Sequence, residues 1–174
     1  MVRVNRRGQF VLAAAVVVAV ALVPMVAAYA QLGYPADAAA DRADRQDVAD
    51  ARRALDAAAY RAAQAVVDAD DPSAAAAAER VNRTLSAAAA ELDAAGTPRD
   101  RAYRVRGNAT VAGGVARADC PAGDRRRFGA CRAIGGVVLQ DRLGAPVVVA
   151  AAVDLRIDGP ATDARVTVVL RPYR

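Results

Sequence analysis

The feature that most limits what this chain can fold into lies near its start: from Phe10 to Leu32 no residue is charged. These 23 residues are mainly Ala, Val and Leu. As a helix they extend about 35 Å at 1.5 Å per residue, enough for a hydrocarbon core of roughly 30 Å. Arg3, Arg6 and Arg7 precede the run with no acid among them, and the first charge after it is Asp37. The positive-inside bias then predicts a cytoplasmic N-terminus and an outward-facing remainder. The reading is a basic cytoplasmic leader at 1–9, a transmembrane helix or signal segment at 10–32, and an exterior domain at 36–174. The protein would be single-pass in the cell membrane, with its C-terminal domain extracellular.

Charge and composition narrow the function further. All 24 basic residues are Arg, against 19 acids. Without the three arginines ahead of the run, 21 face 19, so the formal charge of +5 is mostly a topology signal and no nucleic-acid partner is expected. Histidine is absent, which removes the commonest general base and the commonest metal ligand. Ser73 and Ser86 are the only serines and Glu79 and Glu91 the only glutamates, all in one alanine-rich stretch without a base. Gly113-Gly114 and Gly135-Gly136 are isolated doublets lacking the spacing of a phosphate loop. The chain is expected not to be an enzyme and to carry no cofactor or metal.

Three fates of the apolar run stay open. It can remain as an uncleaved anchor. It can be a secretory signal, with Pro24 and then Ala28-Tyr29-Ala30 offering small-x-small cleavage between Ala30 and Gln31. Or cleavage falls between Gly8 and Gln9, because Arg6-Arg7-Gly8-Gln9-Phe10 followed by an Ala/Val helix resembles the prepilin signal of archaeal type IV pilin-like proteins of the halophile type. The all-Arg, Ala/Val/Asp-rich composition is similar to that lineage, while Ala13 stands where the pattern often has Glu. The resemblance implies a cell-surface or filament subunit of uncharacterised role. Its helix from Gln9 to Leu32 would be retained in the lipid and packed against copies of itself or related pilin-like subunits.

Beyond the run the periodicity reads as two helices and then a sheet. Gly33-Tyr34-Pro35 is expected to break or kink the first helix, with Pro35 at the first turn of the next. From Ala36 to about Asp70, Val48, Ala51, Leu55, Ala58, Ala62 and Val66 recur on one face. Asp71 as N-cap and Pro72 at N1 open a second helix running to about Ala95, with Val81, Leu85, Ala88 and Leu92 on its stripe. Alanine accounts for 48 residues of the chain, so this helical pair (36–96) has thin faces and needs a third partner. The β-rich part (101–172) is predicted from Tyr103, Val105 and Val111, from Val137-Val138-Leu139, and from the alternation Val153, Leu155, Ile157 within 147–158. After the turn at 159–163 it continues with Ala164, Val166, Val168 and Leu170. The fold class is α+β: an N-terminal transmembrane helix, an exterior α-helical hairpin and a C-terminal antiparallel sheet, which is also the plan the pilin-like resemblance implies.

Four features bear on function. Cys120 and Cys131, outside the membrane, are expected to pair as a disulfide closing a loop that holds Arg125-Arg126-Arg127. Those three arginines could grip phosphate, an acidic glycan or a carboxylate, or be simple solvated charge. Asp37, Asp41, Asp44, Asp47 and Asp50 recur at helical spacing among arginines and read as surface ion pairs. Asn82-Arg83-Thr84 and Asn108-Ala109-Thr110 are N-glycosylation sequons. Two functions follow: a membrane-anchored, surface-exposed structural or interaction protein assembling through its N-terminal helix, or a secreted or anchored binding module recognising an acidic partner through Arg125 to Arg127.

Overall fold

The computed structural model describes residues 6–69, 73–122, 128–160 and 162–173, with the side chains of 6–14, 29–44 and 162 outside the description. The chain falls into two compact units, Met1–Ala43 and Asp44–Arg174. Helix α1 spans Arg6–Asp68. The break expected at Gly33-Tyr34-Pro35 does not occur: the helical assignment runs through all three residues. A proline forfeits the one backbone hydrogen bond its missing N–H would make, and alanines, the best helix formers, follow directly at 36 and 38–40. In the first unit, the large apolar side chains from Val16 to Val26 are each 52–71% exposed. Among the described residues no helix is long and apolar enough to cross a membrane. The ends of the uncharged run, 10–14 and 29–32, lie outside the described side chains.

The second unit is the α+β body. Helix α2 (Ala74–Gly96) begins two residues later than the expected Asp71 cap, because the Ser73 hydroxyl accepts from the Ala76 N–H at 3.2 Å. Asp71 and Pro72 themselves lie outside the described residues. A single 3₁₀ turn at Thr97–Arg99 follows. Strands β1 (Ala102–Gly107), β2 (Phe128–Ile134), β3 (Val137–Arg142), β4 (Ala145–Gly159) and β5 (Thr162–Leu170) form one antiparallel sheet. The expected meander is present from β2 to β5. The segment around Val111, read from the sequence as strand, is instead a helix, α3 (Ala109–Ala118). Its two glycines weaken its helical signal, and the Asn108 cap together with burial of Ala112 and Val115 on the sheet decides the outcome.

The registers make β4 the spine. It pairs with β1 through 153–158 and with β5 through 151–159, so β1 and β5 occupy opposite edges of it. It pairs with β3 through 145–151, which places β1 and β3 end to end along the same edge. They meet at Ala152, whose carbonyl accepts from the Asn108 N–H and whose N–H donates to the Gly136 carbonyl, both at 2.8 Å. Backbones crowd there: a Cβ on Gly136 would sit 2.9 Å from the Gly107 Cα and 3.0 Å from the Ala152 oxygen. Gly135 and Gly136 also carry the positive φ values (55° and 90°) of the tight β2–β3 turn. The β3–β4 turn has the same form with Leu143 (φ 59°) in the first place and Gly144 in the second.

Side chains sort to the two faces by parity, with two irregularities, one in β2 between Phe128 and Cys131 and one in the β3–β4 pair. The register slips between Val138 and Leu139, so that Val149 has no partner; this bulge lets Val148 and Ala151 face the same side although three residues apart. One face carries the main core. Leu55, Ala58, Ala59, Ala62, Ala63 and Val66 of α1 and Ala77, Ala78, Val81, Leu85 and Ala88 of α2 pack with Val137, Leu139, Val153, Val168 and Leu170. The third partner that the thin helical pair requires is therefore the sheet. The cluster continues past Ala51, Leu155 and Ile157, with Val48 and Leu92 alongside, which fits antiparallel helices joined by a short link. On the opposite face α3 packs on the buried Val138, Ala150 and Ala152, with Cys131, Val149 and Val169 partly buried beside them.

Candidate functional site

The chemistry-bearing side chains gather on the face that α3 half covers. At one end, Cys120 and Cys131 are bonded as expected (Cα–Cα 5.7 Å). Their support is a residue that the sequence gives no reason to single out. Gln140 on β3, opposite Cys131 in the β2 register, is 1% exposed, the one fully buried polar side chain among the described residues. Its Nε2 donates to the carbonyls of Pro121 (2.8 Å) and Gly129 (2.9 Å), one on each side of the loop, and lies 3.4 Å from the Cys120 sulfur. Its Oε1 accepts from the Arg142 Nε at 3.0 Å, and the Arg142 guanidinium stacks on Phe128 at 4.4 Å. A buried amide with its donors and acceptor all engaged fixes the base of the loop. Arg125, Arg126 and Arg127 lie outside the described residues.

At the other end the sheet is bare of helix. The registers place Arg104 of β1 opposite Arg156 of β4, and Arg156 opposite Arg165 of β5. Three guanidinium-bearing residues thus stand in one row across three adjacent strands, with Arg106 two positions along β1 on the same face. Neighbouring strands are about 4.8 Å apart, and like charges directly opposite are destabilising. Part of the charge is answered by the next row: Asp158 binds Arg104 and Arg156, each at 2.6 Å, and Asp163 lies 3.9 Å from Arg156. Among the described residues no carboxylate pairs with Arg106 or Arg165. Arg104, Arg106, Asp154, Arg156 and Arg165 line a concavity of about 390 Å³.

Asp154 stands directly opposite Arg106 in the β1–β4 register, yet its hydrogen bonds go elsewhere. Its Oδ1 accepts from Thr167 (2.6 Å) and from Asn108 Nδ2 (2.9 Å), and its Oδ2 from Asn108 alone (3.1 Å). These bonds, Thr167 first and Asn108 second, hold its carboxyl below the usual carboxylate range, so it stays ionised. Asn108 is itself the cap of α3, its Oδ1 accepting from the Val111 N–H at 2.9 Å. A glycan on Asn108 would replace one hydrogen of the Nδ2 that donates to Asp154. Asn82, the other sequon asparagine, lies half-buried on α2, its Nδ2 3.3 Å from where a Cβ on Gly135 would stand.

The remaining predicted sites are dispersed. Gly8, Gln9, Ala30 and Gln31 lie on α1 with their side chains outside the description. Of the acidic series, Asp47 pairs with Arg101 and Asp50 with Arg53; Asp37, Asp41 and Asp44 lie outside the described side chains. Among the described residues there is no group of three or more potential metal ligands. The arginine row was missed because only the register assembles it. Its one sequence trace is the Arg-Val-Arg alternation at 104–106 and the interleaving of Asp154, Arg156 and Asp158 in β4.

The fold and site define a class: an antiparallel sheet with a helical pair on one face, the first helix being the long N-terminal α1, and a short helix and a disulfide on the other. The chain belongs to a family of unknown function (DUF7261), whose model matches residues 4–171. No curated protein and no solved structure matches it.

Proposed function

We propose that the protein is a membrane-anchored, surface-exposed structural and interaction protein, a pilin-like subunit that assembles through its apolar N-terminal helix. The observation that carries this reading is the exposure of Val16, Val17, Val18, Val20, Leu22, Val23, Met25 and Val26. Consecutive positions on a helix point in all directions around it, so the apolar surface has no polar side to turn to water. A helix apolar all round belongs inside a protein or a bilayer. The uncharged run from 10 to 32 and the three arginines ahead of it supply the length and the orientation. Small residues such as Ala13, Ala14, Ala15, Ala19 and Ala21 allow close helix–helix approach in lipid.

The Cys120–Cys131 disulfide supports an exterior address, since such bonds persist in oxidising compartments. The test is the mature N-terminus, read by mass spectrometry of native membrane and culture fractions. A start at Gln9 in the membrane fraction is the expected result and makes assembly through the retained helix the mechanism. An intact Met1, or Val2 after methionine removal, reduces the reading to a plain anchor. A start at Gln31 in the culture fraction overturns it.

A further inference from the structure

We infer that the uncovered face of β1, β4 and β5 binds an acidic polysaccharide, a chain whose sugars carry both carboxylates and hydroxyls. The inference does not rest on membrane anchoring, since the same face would bind whether the domain is tethered or released. Its first support is the cost of the arrangement. Three arginines opposite one another on adjacent strands repel, yet the two carboxylates of the next row engage only Arg104 and Arg156. Arg106 and Arg165 flank the concavity, both exposed; Arg106 faces Asp154 across the β1–β4 pair, and among the described residues neither arginine has a carboxylate within ion-pair distance. Guanidinium forks of this kind match planar carboxylates.

The second support is Asp154, which selects among anions. An ionised carboxylate in the middle of the groove repels a multiply charged, compact anion such as phosphate. It also leaves one lone pair free, on Oδ2, which accepts a single bond where Oδ1 accepts two. A sugar acid satisfies both demands: its carboxylate reaches the arginines at the rim and a neighbouring hydroxyl donates to Oδ2. Among the described residues no aromatic side chain on which a nucleic-acid base would stack lines the groove. The row runs across three strands, which suits an extended polymer better than a single small anion.

The experiment measures binding of the purified full chain in detergent to polygalacturonate, to polyphosphate and to neutral dextran. Polygalacturonate should bind most tightly and dextran not at all. Arg106→Ser with Arg165→Ser, both exposed positions, should leave the thermal midpoint in place and weaken polygalacturonate binding at least tenfold. Changing Arg125, Arg126 and Arg127 together to Ser should leave it within twofold. Asp154→Asn should weaken polygalacturonate and strengthen polyphosphate, a reversal that general loss of structure would not produce. Equal binding by the Arg106/Arg165 double variant and wild type overturns the proposal, as does tighter binding of polyphosphate than of polygalacturonate by the wild-type chain. Loss of polygalacturonate binding only in the 125–127 variant moves the site to the disulfide loop and equally overturns it.

Discussion

The two faces of the sheet are held by different physics. On the face covered by α1 and α2, some eighteen buried residues form one apolar cluster, with Leu55, Leu139 and Leu170 among the largest. On the other, five buried residues form the core under α3, none larger than valine. Burial at roughly 25 cal/mol per Å² of apolar surface sustains the first face and is scarce on the second. There the chain uses specific bonds instead: a disulfide, a buried glutamine bridging both sides of a loop, and a carboxylate held by Asn108 and Thr167. Where side chains are too small to bury much area, bonds with fixed geometry take over the work of locating a helix and a loop.

That contrast can be broken from either side. Leu155→Ala, at a position with no exposure on the helix-covered face, should cost about 2–5 kcal/mol in chemical denaturation. On the bond-held face, replacing Cys120 and Cys131 by Ser should cost about 3 kcal/mol in the chain-entropy model. The loss should be local first: amide exchange at Ala112 and Val115 should accelerate more than at Leu139 or Leu55, because Cys131 packs against the α3 cluster. Equal acceleration on both faces would erase the distinction. Gln140→Ala should cost about 1–3 kcal/mol, since the Pro121 and Gly129 carbonyls lose their donor in a buried place.

The finest test uses acid. Asp154 has its carboxyl held below the usual range in the folded state, so its contribution is complete above the unfolded-state value and is lost as pH falls through the lower folded-state value. Stability on the acid limb should therefore decline less steeply in Asp154→Asn than in wild type, by a fraction of the total proton uptake. Thermal midpoints between about pH 2 and 5 would show it, and parallel curves would remove Asp154 from the bonds that matter on that face.

Much of the helix-covered face was legible because its signal is periodic. Val48 through Val66, Val81 through Leu92, and Val153, Leu155 and Ile157 each repeat with the period of their element, and each is buried or half-buried where the period puts it. The other face obeys no such rule. Helix α3 carries a glycine pair that argues against helix, and it forms because Asn108 caps it and the sheet receives it. Strand β2 begins inside the cysteine loop and runs three residues past Cys131, short and largely exposed. The end-to-end meeting of β1 and β3 and the row of Arg104, Arg156 and Arg165 exist only once the registers are set. Registers follow from the bulge at Val149 and from turns at Gly135-Gly136 and Leu143-Gly144, of which the second lacks the usual Asn or Gly in its first place.

The spine position of β4 also dictates when this body can be completed. β1, β3 and β5 all find their hydrogen-bonding partner in residues 145–159. As the chain emerges from its N-terminal end, β1 must wait until residues 153–158 have followed it. Over that interval it is an unpaired strand end and the helical pair has only part of its sheet to lie on, while the β2–β3 hairpin and then the β3–β4 hairpin, paired through 145–151, can close locally. Assembly of the body is thus a late and concerted event set by the order of synthesis, with closure of loops tens of residues long governing its rate.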